Sequence, residues 1–123
     1  MPRIIDCIQG SDEWLAQRCG VITASNFSKV FTGAGKASTQ PEARDMFELE
    51  TGLSAELVGL IKMDDYEIGC SPDALIGDDS GLEIKCPSAS TMIAYKRSGK
   101  LPSAYVQQVQ GCMLVTGAKS WWF

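Results

Sequence analysis

The sequence predicts an α/β domain built around a small mixed sheet, because segments with helical patterns flank a run of strand patterns along the chain. The 123 residues are enough for one domain with one modest core. Hydrophobic residues make up 45% of the chain and charged residues 21%, a balance that is typical of a globular protein and not of a disordered one. We therefore expect a single domain over residues 1–123.

Three helices are predicted in the first part of the chain. Ser11 is a good N-cap, and the acidic residues that follow it suit the first turn of a helix. Thr23 is expected to cap a second helix over residues 24–31. Pro41 suits the first position of a third helix, which ends at Gly52.

The middle of the chain changes to strand patterns. Residues 57–63 and 66–70 predict two strands, and a turn rich in glycine and aspartate at residues 77–81 leads into a third over residues 82–86. The remaining predicted elements are two helices, over residues 88–98 and 102–115, and a final strand over residues 118–123.

The composition excludes several classes of function. The chain has no histidine, which rules out Ser-His-Asp triads and histidine-ligated metals. Five cysteines without a CxxC pair argue against a disulfide framework or a zinc ribbon and favour a reduced, cytoplasmic protein. No apolar run approaches the roughly 20 residues of a membrane helix, so no membrane partner is expected. The net charge of −4 argues against a wholly basic surface but permits a DNA enzyme with a carboxylate-rich site.

The most informative segment carries two acids and a lysine. Side chains alternate along a strand, so Glu83 and Lys85 are expected on one face and Ile84 in the core. The turn at residues 77–81 brings Asp73 towards Glu83. Two carboxylates with a lysine suit Mg²⁺ or Mn²⁺, activation of water and stabilisation of charge on a phosphate. The alternative is an ordinary exposed ion pair beside a turn aspartate, and the spacing of the SPD and ExK triplets favours the functional interpretation.

Three blocks of the sequence, in the same order, resemble the phage lambda exonuclease / YqaJ-like viral recombinase family of the PD-(D/E)xK nuclease superfamily. The blocks are QGSDEWLAQRCGVITASNF (9–27), SPDAL with GLEIKCP (71–87) and SAYVQQVQGCMLVTGAKSWWF (103–123). The resemblance implies a restriction-endonuclease-like core and Mg²⁺-dependent hydrolysis of duplex DNA from 5′ ends. It also implies a phage or prophage origin in a bacterial host, a single-strand annealing recombinase as partner, and a homo-oligomer such as the family's toroidal trimers.

The resemblance implies roles for individual residues as well. Asp73, Glu83 and the Ile84 carbonyl would bind the metal, and Lys85 would be the catalytic lysine. Gln108 would be the helix glutamine that reaches the active site. The residues implied in binding a DNA 5′-phosphate are Arg18, Ser25 and Ser71. Taken alone, an arginine at the end of a helix and a serine at the start of one are explained equally well as helix-terminal residues.

Other residues leave alternatives open. Lys96, Arg97 and Lys100 either track the DNA backbone or form a solvated helix end. Cys70 and Cys86 are expected to pack as small hydrophobic residues. Five aromatic residues are interpreted as core positions and not as base-stacking ones: Trp14, Phe27, Trp121, Trp122 and Phe123.

Two features depart from the family. Only a short join near residues 32–41 connects two predicted helices, and Gln40 stands where the family has a metal-site glutamate. Glu42 lies about 200° around the helix from that position and cannot simply replace it, unless Glu42 or Glu48 reaches the metal after rearrangement. The chain also ends after the last core strand.

We expect a shortened nuclease domain, with a weakly active or inactive DNA-end-binding relative, or another PD-(D/E)xK endonuclease, as alternatives. A non-enzymatic module would leave the acids and the lysine unexplained.

Overall fold

A computed structural model describes residues 2–24 and 40–123, and the structural statements below concern these residues. None of the helices in these two ranges is long and apolar enough to cross a membrane. In chain order the elements are β1 (Arg3–Ile5), α1 (Asp12–Arg18), β2 (Ile22–Thr23), α2 (Gln40–Thr51), β3 (Leu60–Lys62), β4 (Ile68–Cys70), β5 (Ala74–Ile76), β6 (Ser80–Leu82), α3 (Ala89–Ser98), α4 (Ser103–Thr116) and β7 (Ser120–Trp122).

The strands form two small mixed sheets. The first has the order β1-β3-β4-β2, in which β2 is parallel to β4 and the other pairs are antiparallel. The second has the order β5-β6-β7, with an antiparallel β5-β6 hairpin and β7 parallel to β6. The predicted α/β class is confirmed, but the single predicted sheet is two. Pro72 lies between β4 and β5, where it has no N–H to continue a strand ladder.

The helix ends follow local capping chemistry, as predicted. The Ser11 and Ser88 side chains each accept a hydrogen bond from a backbone N–H three residues on, at the start of α1 and α3. Gly99 and Gly117 end α3 and α4 in the left-handed conformation, with φ of 60° and 72°. Pro102 was predicted as the first helical residue of α4 and is instead its N-cap, so the helix starts one residue later, at Ser103.

Three strands, β1, β2 and β5, were not among the predicted elements. In β1, Ile4 pairs with Ile61 of β3, and in β2, Thr23 pairs with Gly69 of β4. Thr23 is therefore a strand residue. The remainder of the second predicted helix, over residues 25–31, lies outside the described residues. Strands of two or three residues are too short to show an alternating pattern, so tertiary pairing alone defines them.

The predicted third strand, over residues 82–86, is displaced towards the N-terminus. Strand β6 covers Ser80–Leu82, since it starts directly after the tight turn at residues 77–79. One further ladder bond follows, from the Glu83 N–H to the Trp122 carbonyl at 2.9 Å. Glu83 and Lys85 consequently lie at and just beyond the carboxyl end of β6, in an irregular segment.

Two apolar clusters form the core. The first joins β3 and β4 to α4 through Ala24, Ile61, Cys70, Cys112 and Val115. The second comprises Ala74, Ile76, Leu82 and Ile84, with Ala43 and Phe47 of α2 packed against it. Helix α4 contacts β3 and β4 of the first sheet and β7 of the second, so it bridges the sheets beside the hairpin.

The aromatic residues at the end of the chain only partly match the predicted core role. Trp121 is half-buried and packs against the first cluster. Trp122 and Phe123 are 43% and 46% exposed, so their interpretation as core residues is wrong. The Trp122 ring meets Phe47 edge-on at 5.4 Å between centroids. Phe27 lies outside the described residues.

Candidate active site

The β5-β6 hairpin brings the two predicted acids together. Asp73 immediately precedes β5, and its N–H donates to the Leu82 carbonyl at 3.2 Å. The Ile84 N–H then donates to Asp73 Oδ2 at 2.6 Å. Because Ala74 pairs with Leu82 in the ladder, the carboxylate of Asp73 is held beside the backbone that carries Glu83. The predicted approach of Asp73 to Glu83 is therefore a property of the hairpin.

The side chains after β6 keep the alternation expected of an extended backbone. Ile84 is 9% exposed and belongs to the second core cluster. Glu83 and Lys85 point to the opposite side, where Lys85 Nζ donates to Glu83 Oε1 at 2.5 Å. The buried isoleucine thus anchors the segment and fixes the direction of the charged residues on either side of it.

Gln108 joins this pair from helix α4. Its Nε2 donates to Glu83 Oε1 at 2.7 Å. Gln107 and Gln110 of the same helix are exposed, whereas Val109 is buried and fixes the rotation of α4. The glutamine selected by the family resemblance is the one that contacts Glu83, and its catalytic role stays a prediction.

Glu83 is unusually buried for a carboxylate, at 4% exposure. Burial raises its pKa, and the nearby charge of Asp73 raises it further, while Lys85 and Gln108 act in the opposite direction. The net shift of the Glu83 pKa is upward. The surroundings therefore disfavour two negative charges here unless additional positive charge is present.

The ammonium group of Lys85 also faces an aromatic cluster. Its Nζ lies 5.0 Å from the ring centroid of Tyr105 on α4. Tyr105 in turn contacts Tyr95 of α3 at 6.4 Å and Phe123 at 5.3 Å between ring centroids. Lys85 is thus held between a carboxylate and an aromatic face.

A second polar group lies beside Asp73. Ser71 Oγ accepts a hydrogen bond from Trp14 Nε1 at 3.0 Å. The Arg18 guanidinium stacks over the same indole at 4.1 Å and donates to Thr23 Oγ1 at 2.9 Å. Partial burial lowers the pKa of the Arg18 guanidinium. Arg18 and Ser71 thus contact the same indole ring, Arg18 at its face and Ser71 at its N–H.

Ser25, the third predicted phosphate ligand, lies outside the described residues. Trp14 and Thr23 were not among the predicted site residues, although the spacing of four between Trp14 and Arg18 on a helix could have indicated their contact. Trp14 is half-buried, in line with a packing role.

Gln9 is a further residue that sequence reasoning did not single out. Its Nε2 donates to the Val58 carbonyl at 2.9 Å and to the Pro72 carbonyl at 2.8 Å. The segment before α1 is thereby tied to the residue that precedes Asp73. Only the position of Gln9 at the start of the first family block could have drawn attention to it.

The donor set fits a hard divalent cation. Asp73, Glu83 and the backbone of Ile84 offer oxygen atoms, and a Mg²⁺ site commonly uses one or two carboxylates, with water and substrate phosphate as the other ligands. Within residues 2–24 and 40–123, no group of three or more Asp, Glu, Cys or His side chains is placed to hold a metal.

The described contacts of Glu42 and Glu48, the two acids of α2 considered as metal ligands, do not place them at the candidate metal site. Glu48 Oε1 accepts a hydrogen bond from the Ala55 N–H at 2.7 Å, and Glu42 is exposed. Gln40 begins α2, and its side chain is outside the described part of the structure. The replacement of the family glutamate by Glu42 or Glu48 thus gains no support from these contacts.

The cysteines beside the motif differ from each other. Cys70 is fully buried in the first core cluster, as predicted for a small hydrophobic residue. Cys86 is exposed, so its predicted packing role is wrong. Cys86 directly follows Lys85, at the point where the chain leaves the hairpin and turns towards α3.

The cations predicted to contact the DNA backbone lie at and just after the end of α3. Lys96 and Arg97 are exposed in the last turn of α3, and Lys100 follows the helix. A cleft of about 470 Å³ has Lys85, Lys96 and Lys100 in its walls. A separate cavity of about 550 Å³ adjoins Asp73.

Comparisons with known proteins identify the family and the fold of the chain. The YqaJ-like viral recombinase domain matches residues 37–119. The chain is also similar to the crystal structure of LHK-Exo, an alkaline exonuclease from Laribacter hongkongensis, and to that of LHK-Exo in complex with dAMP. Each match has 32% sequence identity and a TM-score of 0.76, and covers 88% of this chain and 70% of the other. No curated protein matches the sequence. The predicted family resemblance and the PD-(D/E)xK fold are confirmed.

Proposed function

The chain belongs to the YqaJ-like viral recombinase family, and we propose that it is a deoxyribonuclease that degrades duplex DNA from its 5′ ends. The observation that carries this proposal is the convergence of Asp73, Glu83, Lys85 and Gln108 at the end of one hairpin. The similarity to an alkaline exonuclease supports it. So does the dAMP bound to that relative, since a nucleoside monophosphate has the chemistry of a DNA hydrolysis product.

Asp73, Glu83 and the Ile84 carbonyl are the proposed ligands of Mg²⁺, with Mn²⁺ as a substitute of similar chemistry. When bound, the ion would supply a water of lowered pKa and neutralise charge on the scissile phosphate. The Ile84 N–H orients the Asp73 carboxylate by its hydrogen bond to Oδ2. Each carboxylate has several acceptor positions, so the hydrogen bonds already made are compatible with metal coordination.

Lys85 is the proposed catalytic lysine. Its contacts with Glu83 and the Tyr105 ring limit the motion of its ammonium group. From there it can donate to a phosphate oxygen whose charge grows in the transition state. Gln108 donates to the same Glu83 oxygen as Lys85 and is proposed to keep that carboxylate turned towards the reacting centre.

Arg18 and Ser71, together with Ser25, are the proposed ligands of the terminal 5′-phosphate. A guanidinium forms two parallel hydrogen bonds to a phosphate, and the stacked Trp14 ring restricts its orientation. Ser71 is two residues before Asp73, so a phosphate held there would lie close to the carboxylates. This placement would set the 5′ polarity.

The wider setting follows the family resemblance. We propose duplex DNA ends as substrate, a single-strand annealing recombinase as partner, and a homo-oligomer, by resemblance a trimer. A phage or prophage origin and a bacterial cytoplasmic location complete this proposal. Lys96, Arg97 and Lys100 are proposed to contact the DNA backbone. The shortened single domain over residues 1–123 stays a prediction, and residues 32–39 of the join lie outside the described ranges.

A weakly active or inactive DNA-end-binding relative is the second candidate. Gln40 in place of an acid favours it, because a neutral amide binds a divalent cation more weakly than a carboxylate does. A third candidate is an endonuclease that uses only Asp73, Glu83 and Lys85.

Digestion of two DNA substrates separates these candidates. The protein is incubated with linear, 5′-phosphorylated duplex and with covalently closed circular duplex, in Mg²⁺, Mn²⁺ or EDTA. The proposal predicts loss of the linear DNA alone, from the 5′ end, and no reaction in EDTA. Cleavage of the closed circle would establish an endonuclease. Binding of DNA ends without cleavage by folded protein would establish the inactive relative.

A further inference from the structure

Helix α4 contacts both members of the Lys85-Glu83 pair. Gln108 donates to Glu83 Oε1 at 2.7 Å, and the ring centroid of Tyr105 lies 5.0 Å from Lys85 Nζ. Residues three apart on a helix lie on the same face, so Tyr105 and Gln108 reach the pair together. Buried Val109 packs in the core and fixes the rotation of the helix. One helix therefore holds the carboxylate with an amide and the ammonium with an aromatic ring.

The ring of Tyr105 is restrained by two other aromatic residues. Tyr95 of α3 meets it edge-on, with 6.4 Å between the centroids and 90° between the ring planes. Phe123, directly after β7, lies 5.3 Å from it at a tilt of 37°. Aromatic contacts of this kind favour defined relative orientations of the rings. The position of the Tyr105 ring is therefore set by α3 and the end of β7, independently of Lys85.

The other contact of Lys85 is open to competition. Glu83 Oε1 accepts hydrogen bonds from both Lys85 and Gln108. Glu83 is also a proposed ligand of a divalent cation, and such a cation would attract the carboxylate and repel the ammonium. An aromatic face attracts an ammonium through its quadrupole and is not a metal ligand here. The contact with Tyr105 is consequently the one that does not depend on the charge of Glu83.

We propose that Tyr105 is a positioning residue, whose ring keeps the ammonium of Lys85 at the candidate active site when Glu83 binds a divalent cation. The inference rests on the proposed function, in which Lys85 donates to a phosphate oxygen. Tyr105 acts through Lys85 in this proposal and does not contact DNA. Removal of the ring should therefore slow hydrolysis without weakening DNA binding, and phenylalanine should replace tyrosine because it presents the same face.

The first test observes Lys85 without DNA. The full chain is labelled with ¹³C at the ε-carbon of lysine, and the Lys85 signal is assigned by its loss in Lys85→Ala. Protons above an aromatic face are shifted upfield, so this signal should lie upfield in the parent and in Tyr105→Phe and move downfield in Tyr105→Leu. The upfield position should persist when Mg²⁺ replaces EDTA. Loss of the upfield shift of the parent in Mg²⁺ would overturn the proposal.

The second test separates rate from affinity. Tyr105→Leu should lower the maximal rate of hydrolysis of linear, 5′-phosphorylated duplex by about tenfold, the scale of a lost cation–π contact. Its affinity for the same fluorescein-labelled duplex in EDTA should change by less than about twofold, and Tyr105→Phe should restore most of the rate. Tyr66→Leu, at an exposed tyrosine between β3 and β4, is the matched control and should resemble the parent.

Thermal unfolding checks that each variant folds. If Tyr105→Leu unfolds, Tyr105→Met takes its place in both tests, because the unbranched methionine adapts to irregular space in a core. The Mg²⁺ titration of the parent needs no substitution at Tyr105 and decides the outcome by itself if neither variant folds.

The outcomes distinguish this inference from the proposed function. If the parent hydrolyses DNA and Tyr105→Leu is equally fast, or loses DNA affinity in place of rate, the positioning role is wrong and the nuclease stands. If the parent hydrolyses no DNA but the Lys85 signal depends on the ring and keeps its position in Mg²⁺, the placement of Lys85 by Tyr105 stands and the proposed function is wrong. Equal slowing in Tyr105→Phe and Tyr105→Leu would assign the effect to the hydroxyl and overturn the role of the ring.

Discussion

Two lysine-glutamate pairs in this molecule have the same chemistry and differ in the burial of the glutamate. Lys62 and Glu67 lie 3.3 Å apart on the first sheet, where the Glu67 side chain is 76% exposed. Lys85 and Glu83 lie 2.5 Å apart beside the second sheet, where the Glu83 side chain is 5% exposed. Water screens the first pair, which contributes little to stability. The Glu83 carboxylate of the second pair is buried beside Asp73, so its negative charge costs free energy. Charged groups in such surroundings are typical of functional sites.

The comparison shows that burial of the glutamate, more than the ion pair itself, distinguishes the candidate site from a solvated surface pair. Glu83 is buried because Ile84 anchors the segment in the core and α4 covers it with Gln108. The pair at Lys62 has no comparable cover on its glutamate.

Asp73→Asn should reduce DNA hydrolysis by at least about 100-fold, because it removes one of two anionic ligands from the proposed metal site. The asparagine oxygen can still accept the Ile84 N–H, so the fold should be retained. The rate of nucleotide release measures activity, and circular dichroism measures folding. Asp79→Asn, at an exposed aspartate paired with Lys119, is the matched control and should retain activity. Equal loss in both variants would contradict the assignment.

Gln9→Glu should lower turnover by about tenfold. The carboxylate has the shape of the amide but cannot donate to the Val58 and Pro72 carbonyls, so the residue before Asp73 loses its restraint. We expect a higher Mg²⁺ concentration for half-maximal activity and little change in the KM for DNA. Gln107→Glu, at an exposed glutamine of α4, is the control. If Gln9→Glu lost stability but kept the Mg²⁺ dependence of the parent, its role would be structural only.

Arg18→Ala should reduce the preference for 5′-phosphorylated over 5′-hydroxyl ends by several-fold. A partly buried, stacked guanidinium is well placed to bind a terminal phosphate bidentately. Competition between the two substrates in one reaction measures the preference directly. Arg3→Ala removes an exposed arginine paired with Asp64 and should leave the preference intact. Unchanged discrimination in Arg18→Ala would remove Arg18 from the phosphate site.

Glu83→Gln should stabilise the metal-free protein at pH 8, although it should also lose activity. The Glu83 pKa is raised in the folded state above its ordinary value of 4.5. The folded protein therefore binds this proton more tightly than the unfolded chain does. Stability contributed by the protonated acid is present at low pH and falls as the pH rises from about 4.5 through the folded pKa.

Thermal unfolding in EDTA between pH 4 and pH 8 measures this effect. The parent should lose stability with rising pH relative to Glu83→Gln, and Mg²⁺ should stabilise the parent alone. The control Glu67→Gln lies at the exposed pair and should change the free energy of unfolding by less than about 0.5 kcal/mol. A less stable Glu83→Gln at pH 8 would mean that its ion pair outweighs burial.

The parts of the fold that could be predicted are those governed by neighbouring residues. Ser11, Ser88 and Gly99 act within one helical turn, so the sequence alone indicates where α1 and α3 begin or end. Strands β1 and β2 are defined by partners about 45 to 60 residues away and have too few residues to show a pattern. The division into two sheets at Pro72 depends on tertiary pairing as well.

The candidate site likewise has residues whose positions could be predicted from the sequence and residues whose positions could not. The spacing of Asp73, Glu83 and Lys85 about a tight turn predicts their approach, because a hairpin brings such residues together. Gln108 could be selected only by the family resemblance, since its helix carries three glutamines with similar surroundings in sequence. The contacts of Gln9 with Pro72 and of Trp14 with Ser71 join distant segments, and spacing carries no information about them.

The most direct test of the central claim compares the two lysine pairs in one assay. Lys85→Ala and Lys62→Ala are purified in parallel, and single-turnover hydrolysis of linear, 5′-phosphorylated duplex is measured with Mg²⁺, with EDTA as the blank. The account predicts Mg²⁺-dependent hydrolysis by the parent, at least a 100-fold loss in Lys85→Ala, and a rate within about twofold of the parent in Lys62→Ala. Hydrolysis at the parental rate by folded Lys85→Ala would contradict the assignment of the buried pair as the catalytic centre.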